Sequence, residues 1–488
     1  MTTIERLARW AAEMAPAGVP PSVRIRARLQ QLHLAGTVAA VNDEAFAQIE
    51  DPAARTAALC GAVEMDDELL GGRVGVGAVP AAWASARPNH ALREIDTAIV
   101  AANEVAGRVG AATMLGPNLP DRSPLTVSVA AAIASGRLMG LSAAVLAHAV
   151  ALAISHVPAP APRTRASAGQ VAAMLDAQMV RHGLLAARMA SRGARGDLDL
   201  LDVDDGPLQA HAWLPLRAAF TGLGKAWLTE TIAYKLMPGP LPVQMPVQAV
   251  GEILKRHVKA ADKRLRVDQV ARIEVRTGAL GCAFARHRSR PSRSIYELIG
   301  ILVDAHELGP QMLSAQHLSE RREQIAHIAE RVEVVHDGAR GWRMFEQLAE
   351  VAAPLFADVP GDALRQALMR MHGHLGVSVL RDRGWLAILK SRPDRIWERI
   401  RSAEPDLSKA RLEEFQFRLD TEVKLFTTRG GSWPERRAVP EGSPGWSWED
   451  TIARILARCE EGPALLDASP NRPAAEWLEA LLKVSRTD

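Results

Sequence analysis

The stretch MDDELLGGRVGVGAVP, Met65 to Pro80, sets three consecutive acids, Asp66, Asp67 and Glu68, ahead of a glycine-rich run whose single cation is Arg73. Adjacent carboxylates beside an arginine suit proton transfer next to an anion clamp. Asp66 or Asp67 acts as base, or orients a partner, while the Arg73 guanidinium grips a substrate carboxylate through paired N–H donors. Two other readings stand beside this one. A phosphate cradle needs glycines between a strand and a helix start, and GGRVGVG lacks both the Lys-Ser/Thr ending and the dinucleotide spacing. A surface turn is the plainest reading, because acids in a row are comfortable in water.

Other residues extend the list. Lys225 in FTGLGKAW and Lys235 in YKLMPGP lie beside a proline-rich boundary, where they face either a cleft or solvent. Tyr296 and Glu297 in SIYELIG are neighbours on an amphipathic helix, which must turn one of the two toward any cleft it borders. Arg286, His287 and Arg288 form a basic cluster suited to an anionic ligand or to a solvated loop. His372 and His374 are spaced i and i+2, which suits ligation from a strand or loop, but no third ligand accompanies them. No metal site is predicted. Cys60, Cys282 and Cys459 lie far apart without a CxxC pair, which points to a reducing, cytoplasmic setting and away from a disulfide framework.

These residues need elements to hold them. A chain of 488 residues is long for one core and suggests two or three domains; 48% hydrophobic and 24% charged residues mark it as globular. The formal net charge of +3 implies no polyanion partner. The basic run KRHVKAADKRLR has no interleaved aromatics for base stacking, so it reads as a solvated face and not a nucleic-acid surface. The uncharged stretch 138–155 is interrupted by Gly140, with Ser142 placed as an N-cap, and reads as buried helices of a bundle and not as a membrane span. The first sixteen residues carry acids in an amphipathic pattern and read as a folded helix, without the apolar core of a secretion signal.

Helical spacing with abundant alanine runs through 99–109, 127–138, 142–154 and 171–190, so the first half is expected to be all α. Four prolines in LMPGPLPVQMP break helix propagation and mark a boundary near residue 240. Beyond it a helix is predicted at 247–259, with strands at 269–276, 333–336 and 415–426; the last alternates apolar and polar residues. A glycine- and proline-rich segment at 429–445 leads into a helix from Trp448. The predicted fold class is mostly α with an α+β second domain. Residues 1–240 and 441–488 form a large helical domain, and 241–440 a smaller α/β lid inserted into it.

Several stretches together resemble the MmgE/PrpD family, which includes 2-methylcitrate dehydratase and cis-aconitate decarboxylase. They are DTAIVAANEVAGRVGAA, with Glu104, Val105 and Arg108; the alanine-rich pair VAAAIASGRLMGLSAAVLAHAVALA; RHGLLAARMASRG; FTGLGKAW; YKLMPGPLPVQMPVQA; and SIYELIGILVDAHELG. VKLFTTRGGSWPERRAVPEGSPGWSWED near the end is similar to the family's strand, glycine turn and proline-glycine segment. The resemblance implies a helical domain with a smaller lid, a cleft between them, a homodimer, and a reaction on a small carboxylic acid without metal or organic cofactor.

The family's catalytic positions are altered. Anchoring on Ala78, Val79 and Pro80 puts Arg73 where the resemblance implies a histidine, with Asp66 or Asp67 as the nearest acidic match. A second family histidine falls near Asp121, the family lysine on Ala172, and the lid tyrosine on Glu297, one position from Tyr296. Exchanging a switchable histidine for a permanently charged arginine replaces proton transfer by anchoring. Two functions follow. The first is a lyase, or an isomerase using its half-reaction, with Arg73 holding a carboxylate, Asp66 or Asp67 moving the proton, and Tyr296 or Lys235 assisting. The second is a catalytically degenerate relative that binds a metabolite or a partner protein.

Overall fold

The computed structural model of the chain describes residues 1–41, 46–117, 123–157, 171–285, 291–375 and 394–483. The architecture is mostly α with a smaller α+β region. In the N-terminal half, alanine and glycine let helix backbones approach closely. The Ser123–Leu138 helix is central, packing against Gly75–Ser85, Leu92–Ala112, Ala143–Ser155 and Val171–Ser191. A side chain on Gly183 would strike the Ser128 carbonyl, and one on Gly77 the Val127 carbonyl, so two of these crossings depend on the missing Cβ. The C-terminal helices return to the same core. Leu92 N–H donates to the Arg472 carbonyl and Ala474 N–H to that of His90, each at 2.9 Å, and Trp477 is fully buried.

Strand β1 (Asp67–Glu68) pairs antiparallel with β2 (Ala233–Tyr234), Asp67 opposite Tyr234 and Glu68 opposite Ala233. The larger sheet has the order β4-β3-β5-β6, built from β3 (Val270–Thr277), β4 (Val332–His336), β5 (Thr421–Thr427) and β6 (Ser432–Arg437). Only the β3–β4 pair is parallel. A second apolar cluster joins Ile273, Val275, Val423 and Leu425 of this sheet to Val247 and Ile253 of the Leu241–Ala261 helix and Ile299 of the Ile295–Ala305 helix. The first cluster extends beyond the N-terminal half, taking in Phe345, Leu348, Phe356, Ile400 and Leu407.

Four local expectations change. The strand expected over 415–426 begins at Thr421: Phe415 belongs to the first core and packs edge-on against Phe417 at 4.8 Å, while Val423 and Leu425 belong to the second. A segment crossing between two cores cannot keep one face against both. The glycine- and proline-rich segment hides strand β6, whose Pro434 is tolerated because β6 is the outer strand of the sheet. His372 and His374 lie on the Gly361–His374 helix and not on a strand or loop, and His372 Nδ1 donates to the Leu368 carbonyl at 2.8 Å.

The helix expected from residue 247 starts at Leu241 and runs through Pro242 and Pro246. Gln244 of its first turns ties down the preceding loop, donating to the carbonyls of Met237 and Gly239. The 138–155 stretch is split: one helix ends at Leu138, Gly140 turns with φ +72°, and the next helix starts at Ala143 with Ser142 accepting from Val145 N–H. No helix among the described residues is long and apolar enough to cross a membrane.

Candidate active site

The Pro52–Val63 helix stops at Glu64, which takes a left-handed conformation, and the chain drops directly into β1. Lys235 follows β2, and its N–H donates to the Asp66 carbonyl at 3.0 Å. That short antiparallel pair sets two side chains 169 residues apart face to face: Lys235 Nζ lies 2.9 Å from Asp66 Oδ1. Arg73 reaches the other carboxylate oxygen from a tight turn in which Leu69 and Gly72 exchange backbone hydrogen bonds of 3.0 and 2.7 Å. Gly72 has φ +111°, and a Cβ on Gly71 would overlap the Gly107 backbone, so both glycines are needed to lay this turn on the Leu92–Ala112 helix. The guanidinium also contacts Asp176 Oδ2 at 2.9 Å.

Asp67 is held differently. Its Oδ2 accepts from Gln30 Nε2 at 2.8 Å and from Gly75 N–H at 3.2 Å, the latter at the start of the Gly75–Ser85 helix. Its Oδ1 is buried with no hydrogen-bond partner among the described residues. Gln30 is fixed in turn by Asn103, whose amide donates to Gln30 Oε1 at 3.0 Å. A Cβ on Gly75 would overlap Asp67 Oδ1 and the Gln30 amide, so this position admits only glycine.

Burial and partners separate the charge states of the two acids. Burial tends to raise the Asp66 pKa, but Arg73 and Lys235 outweigh it and hold the carboxyl below its usual range. Asp67 has no such cation at contact; burial, with repulsion from Asp66, raises it to about 7. Burial opposes the charge on Lys235, yet Asp66 outweighs it and the amine's pKa is raised. Asp66 and Asp176 thus face Arg73 and Lys235, and the buried cluster balances its charge when Asp67 holds a proton.

His33 and Cys60 complete the surroundings. His33 Nε2 meets the Asp66 carbonyl at 2.9 Å, and since a carbonyl can only accept, the proton sits on Nε2. Burial lowers the His33 pKa to about 3, so the ring is neutral. Burial pushes the Cys60 thiol well up, which leaves it protonated and a poor nucleophile. Among the described residues no group of His, Cys, Asp and Glu is arranged to hold a metal ion.

The structure thus brings Asp66, Asp67, Arg73 and Lys235 into one cluster, with Glu68 at its edge, 3.9 Å from Lys235 Nζ and 19% exposed. Lys225 is exposed on a separate loop. Tyr296 and Glu297 line a 320 Å³ surface cavity with Leu318 and Arg322. His287 lies outside the described residues, as do Arg286, Arg288 and Asp121. Sequence reasoning missed Asp176, His33 and Gln30. A signal was present: a helix reading RLQQLHLAGT carries polar side chains at positions spaced for its apolar face, and Gln30, Gln31, His33 and Thr37 are all fully buried.

The same half of the molecule contains a second ion pair that does structural work. Glu104 and Arg108, one helical turn apart, pair at 2.5 Å; Glu104 accepts from the N–H groups of Leu228 and Thr229, and Arg108 donates to the Ala226 carbonyl at 2.8 Å. This anchors the segment that leads into β2 and so fixes the height of Lys235.

Human cis-aconitate decarboxylase is 26% identical over 151 residues, which cover 30% of this chain and 31% of that protein. The aligned part is thus under a third of the relative's length. Residues 17–213, the segment that holds Gln30, His33, Asp66, Asp67, Arg73 and Asp176, match the MmgE/PrpD N-terminal domain.

Proposed function

We propose that this chain is a lyase acting on a small carboxylic acid by dehydration or decarboxylation, or an isomerase using the same half-reaction. The observation that carries the reading is the juxtaposition of Asp67, buried with a free oxygen and a pKa near neutrality, with the charged Lys235–Asp66 pair. Lys235 supplies the positive charge that holds a substrate carboxylate and stabilises the enolate formed at its α-carbon. In dehydration, ionised Asp67 takes the α-proton, the C–H electron pair forms the double bond, and the departing hydroxide takes that proton back from Asp67 and leaves as water. In decarboxylation the carbon–carbon bond breaks, carbon dioxide leaves, and protonated Asp67 delivers its proton to the carbon. Arg73, engaged by Asp66 and Asp176, acts as a positioning residue. Glu68, the partly exposed member, marks the side from which substrate enters. We place Tyr296, Glu297 and Lys225 outside this set of contacts.

The reading extends to a helical domain at 1–240 and 441–488 with a lid at 241–440, and to a cytoplasmic homodimer that needs no metal or organic cofactor. Light scattering on the purified protein tests the dimer. The catalytic reading is tested by proton NMR in deuterium oxide with a panel of small hydroxy, unsaturated and β-dicarboxylic acids, followed for α-proton exchange and turnover.

A second reading, a relative that has lost catalysis and binds a metabolite or partner protein, is favoured by one observation. Both cations of the cluster are already matched by the chain's own carboxylates. Silence across the panel from folded protein supports it.

A further inference from the structure

A groove of 590 Å³ opens between the Leu241–Ala261 helix and the end of the Ile295–Ala305 helix, within the size range of about 300–1,000 Å³ for small-molecule sites. Its floor is apolar. Val247, Gly251, Leu254 and Val258 recur at helical spacing, and Leu302 closes the opposite side; a methyl group on Gly251 would only touch Leu302, at 3.6 Å, so the glycine leaves open width there. One rim is basic. Lys259 and Arg264 are exposed and make no ion pair among the described residues, and Lys255 has only a loose contact of 3.5 Å with Glu252.

The wall carries a second signal. Gln248 is 6% exposed, its Oε1 accepts from Glu441 N–H at 3.1 Å, and its Nε2 is buried without a hydrogen-bond partner among the described residues. The Glu441 carboxylate beside it is neutralised by Arg437 at 2.8 Å and by Arg454. A buried amide donor left unmatched costs stability unless something accepts from it.

We infer that this groove binds a small anionic amphiphile, a carboxylate or phosphate monoester on a short hydrocarbon. The head group takes the charge of Lys259 and Arg264, an oxygen accepts from Gln248, and the hydrocarbon covers Val247, Leu254 and Leu302. The inference is independent of the catalytic reading, because it concerns binding at a surface that shares only the chain segment after Lys235, through Leu236 and Met237.

Isothermal titration calorimetry on the full chain tests it, with octanoate and octyl phosphate, each below its micellar concentration, against octanol and octyltrimethylammonium. Saturable one-to-one binding of octanoate assigns the head group as carboxylate, and of octyl phosphate as phosphate ester. Either is expected to weaken about tenfold or more in Lys259→Glu/Arg264→Glu, and severalfold in Gln248→Leu. Circular dichroism verifies that the double variant folds, which its exposed positions favour. Absence of saturable binding, binding of octanol as tight as that of the anions, or binding unchanged in the double variant overturns the inference. Preference for octyltrimethylammonium does the same.

Discussion

The Asp66 carboxylate lies 2.9 Å from Lys235 Nζ, while Asp67, the next residue along β1, makes no ion pair among the described residues and keeps one oxygen unmatched. Asp66, just before β1, meets cations, whereas Asp67, its first residue, meets an amide and a helix start. Consecutive carboxylates are thereby given different charge states, the arrangement that proton transfer requires.

The first prediction concerns the Lys235–Asp66 pair. Lys235→Met leaves Asp66 buried with Arg73 as its only cation at contact, and the unfolding free energy is expected to fall by about 3–5 kcal/mol. Lys235→Met/Asp66→Asn should recover part of that loss, because no uncompensated carboxylate remains. Urea denaturation of wild type, Lys235→Met, Asp66→Asn and the double variant checks it; an additive double variant contradicts the pairing.

A second prediction follows from two opposed titrations. The Asp67 pKa is raised on folding to about 7, so the folded state binds the extra proton and this acid's contribution is lost as pH rises from about 4 to 7. The His33 pKa is lowered to about 3, so its contribution is present above about 6.5 and lost as pH falls toward 3. Between about pH 4 and 6.5 the two slopes oppose each other and largely cancel. Asp67→Asn removes one of them. Its stability should rise with pH across that window by up to about 1.4 kcal/mol per pH unit, more steeply than wild type. Urea midpoints measured from pH 4 to 8 decide the matter, and parallel curves for the two proteins refute it.

Much of the fold was legible from the sequence, because alanine-rich helices keep a strict period and prolines and glycines punctuate them. The site was legible in part. The run Asp66, Asp67 and Arg73 stood out by composition, and Lys235 by its place beside a proline-rich boundary. What could not be read is which cation meets which acid. Lys225 and Lys235 look alike in sequence, yet only Lys235 follows a strand paired with β1. The glycines of GGRVGVG suggested a ligand loop, whereas Gly71 and Gly75 serve close approach to Gly107 and Asp67. Asp176 lies a hundred residues downstream, one of several polar residues on its helix, and only tertiary packing brings it to Arg73. Strand β6 was hidden by Pro434, which an outer strand tolerates.

Gly75 gives a third prediction. Gly75→Ala adds a methyl group into the space of Asp67 Oδ1 and the Gln30 amide, and overpacking at such a site costs about 1–3 kcal/mol. Gly140→Ala serves as a control of another kind: nothing lies within 4 Å of its added methyl, so its cost comes from the left-handed backbone alone. Asp67 carboxyl resonances followed by NMR should move in Gly75→Ala and stay in place in Gly140→Ala.

Fourth, the two lysines should separate in function. Lys225→Ala is expected to leave turnover and stability within about 0.5 kcal/mol of wild type, since the side chain is solvated. Lys235→Arg keeps the charge but not the compact ammonium that fits against Asp66, and turnover should drop by about a hundredfold or more. Steady-state kinetics on the substrate found in the panel measures both.

The central claim is that Asp67 is the group that moves the substrate proton. The most direct measurement is proton NMR in deuterium oxide comparing wild type with Asp67→Asn on the small-acid panel. Wild type should incorporate deuterium at an α-carbon, or convert one acid, at a rate that Asp67→Asn lowers by about a hundredfold or more while circular dichroism shows it folded. Turnover by Asp67→Asn at the wild-type rate would contradict the claim and move the proton-transfer role away from this carboxyl.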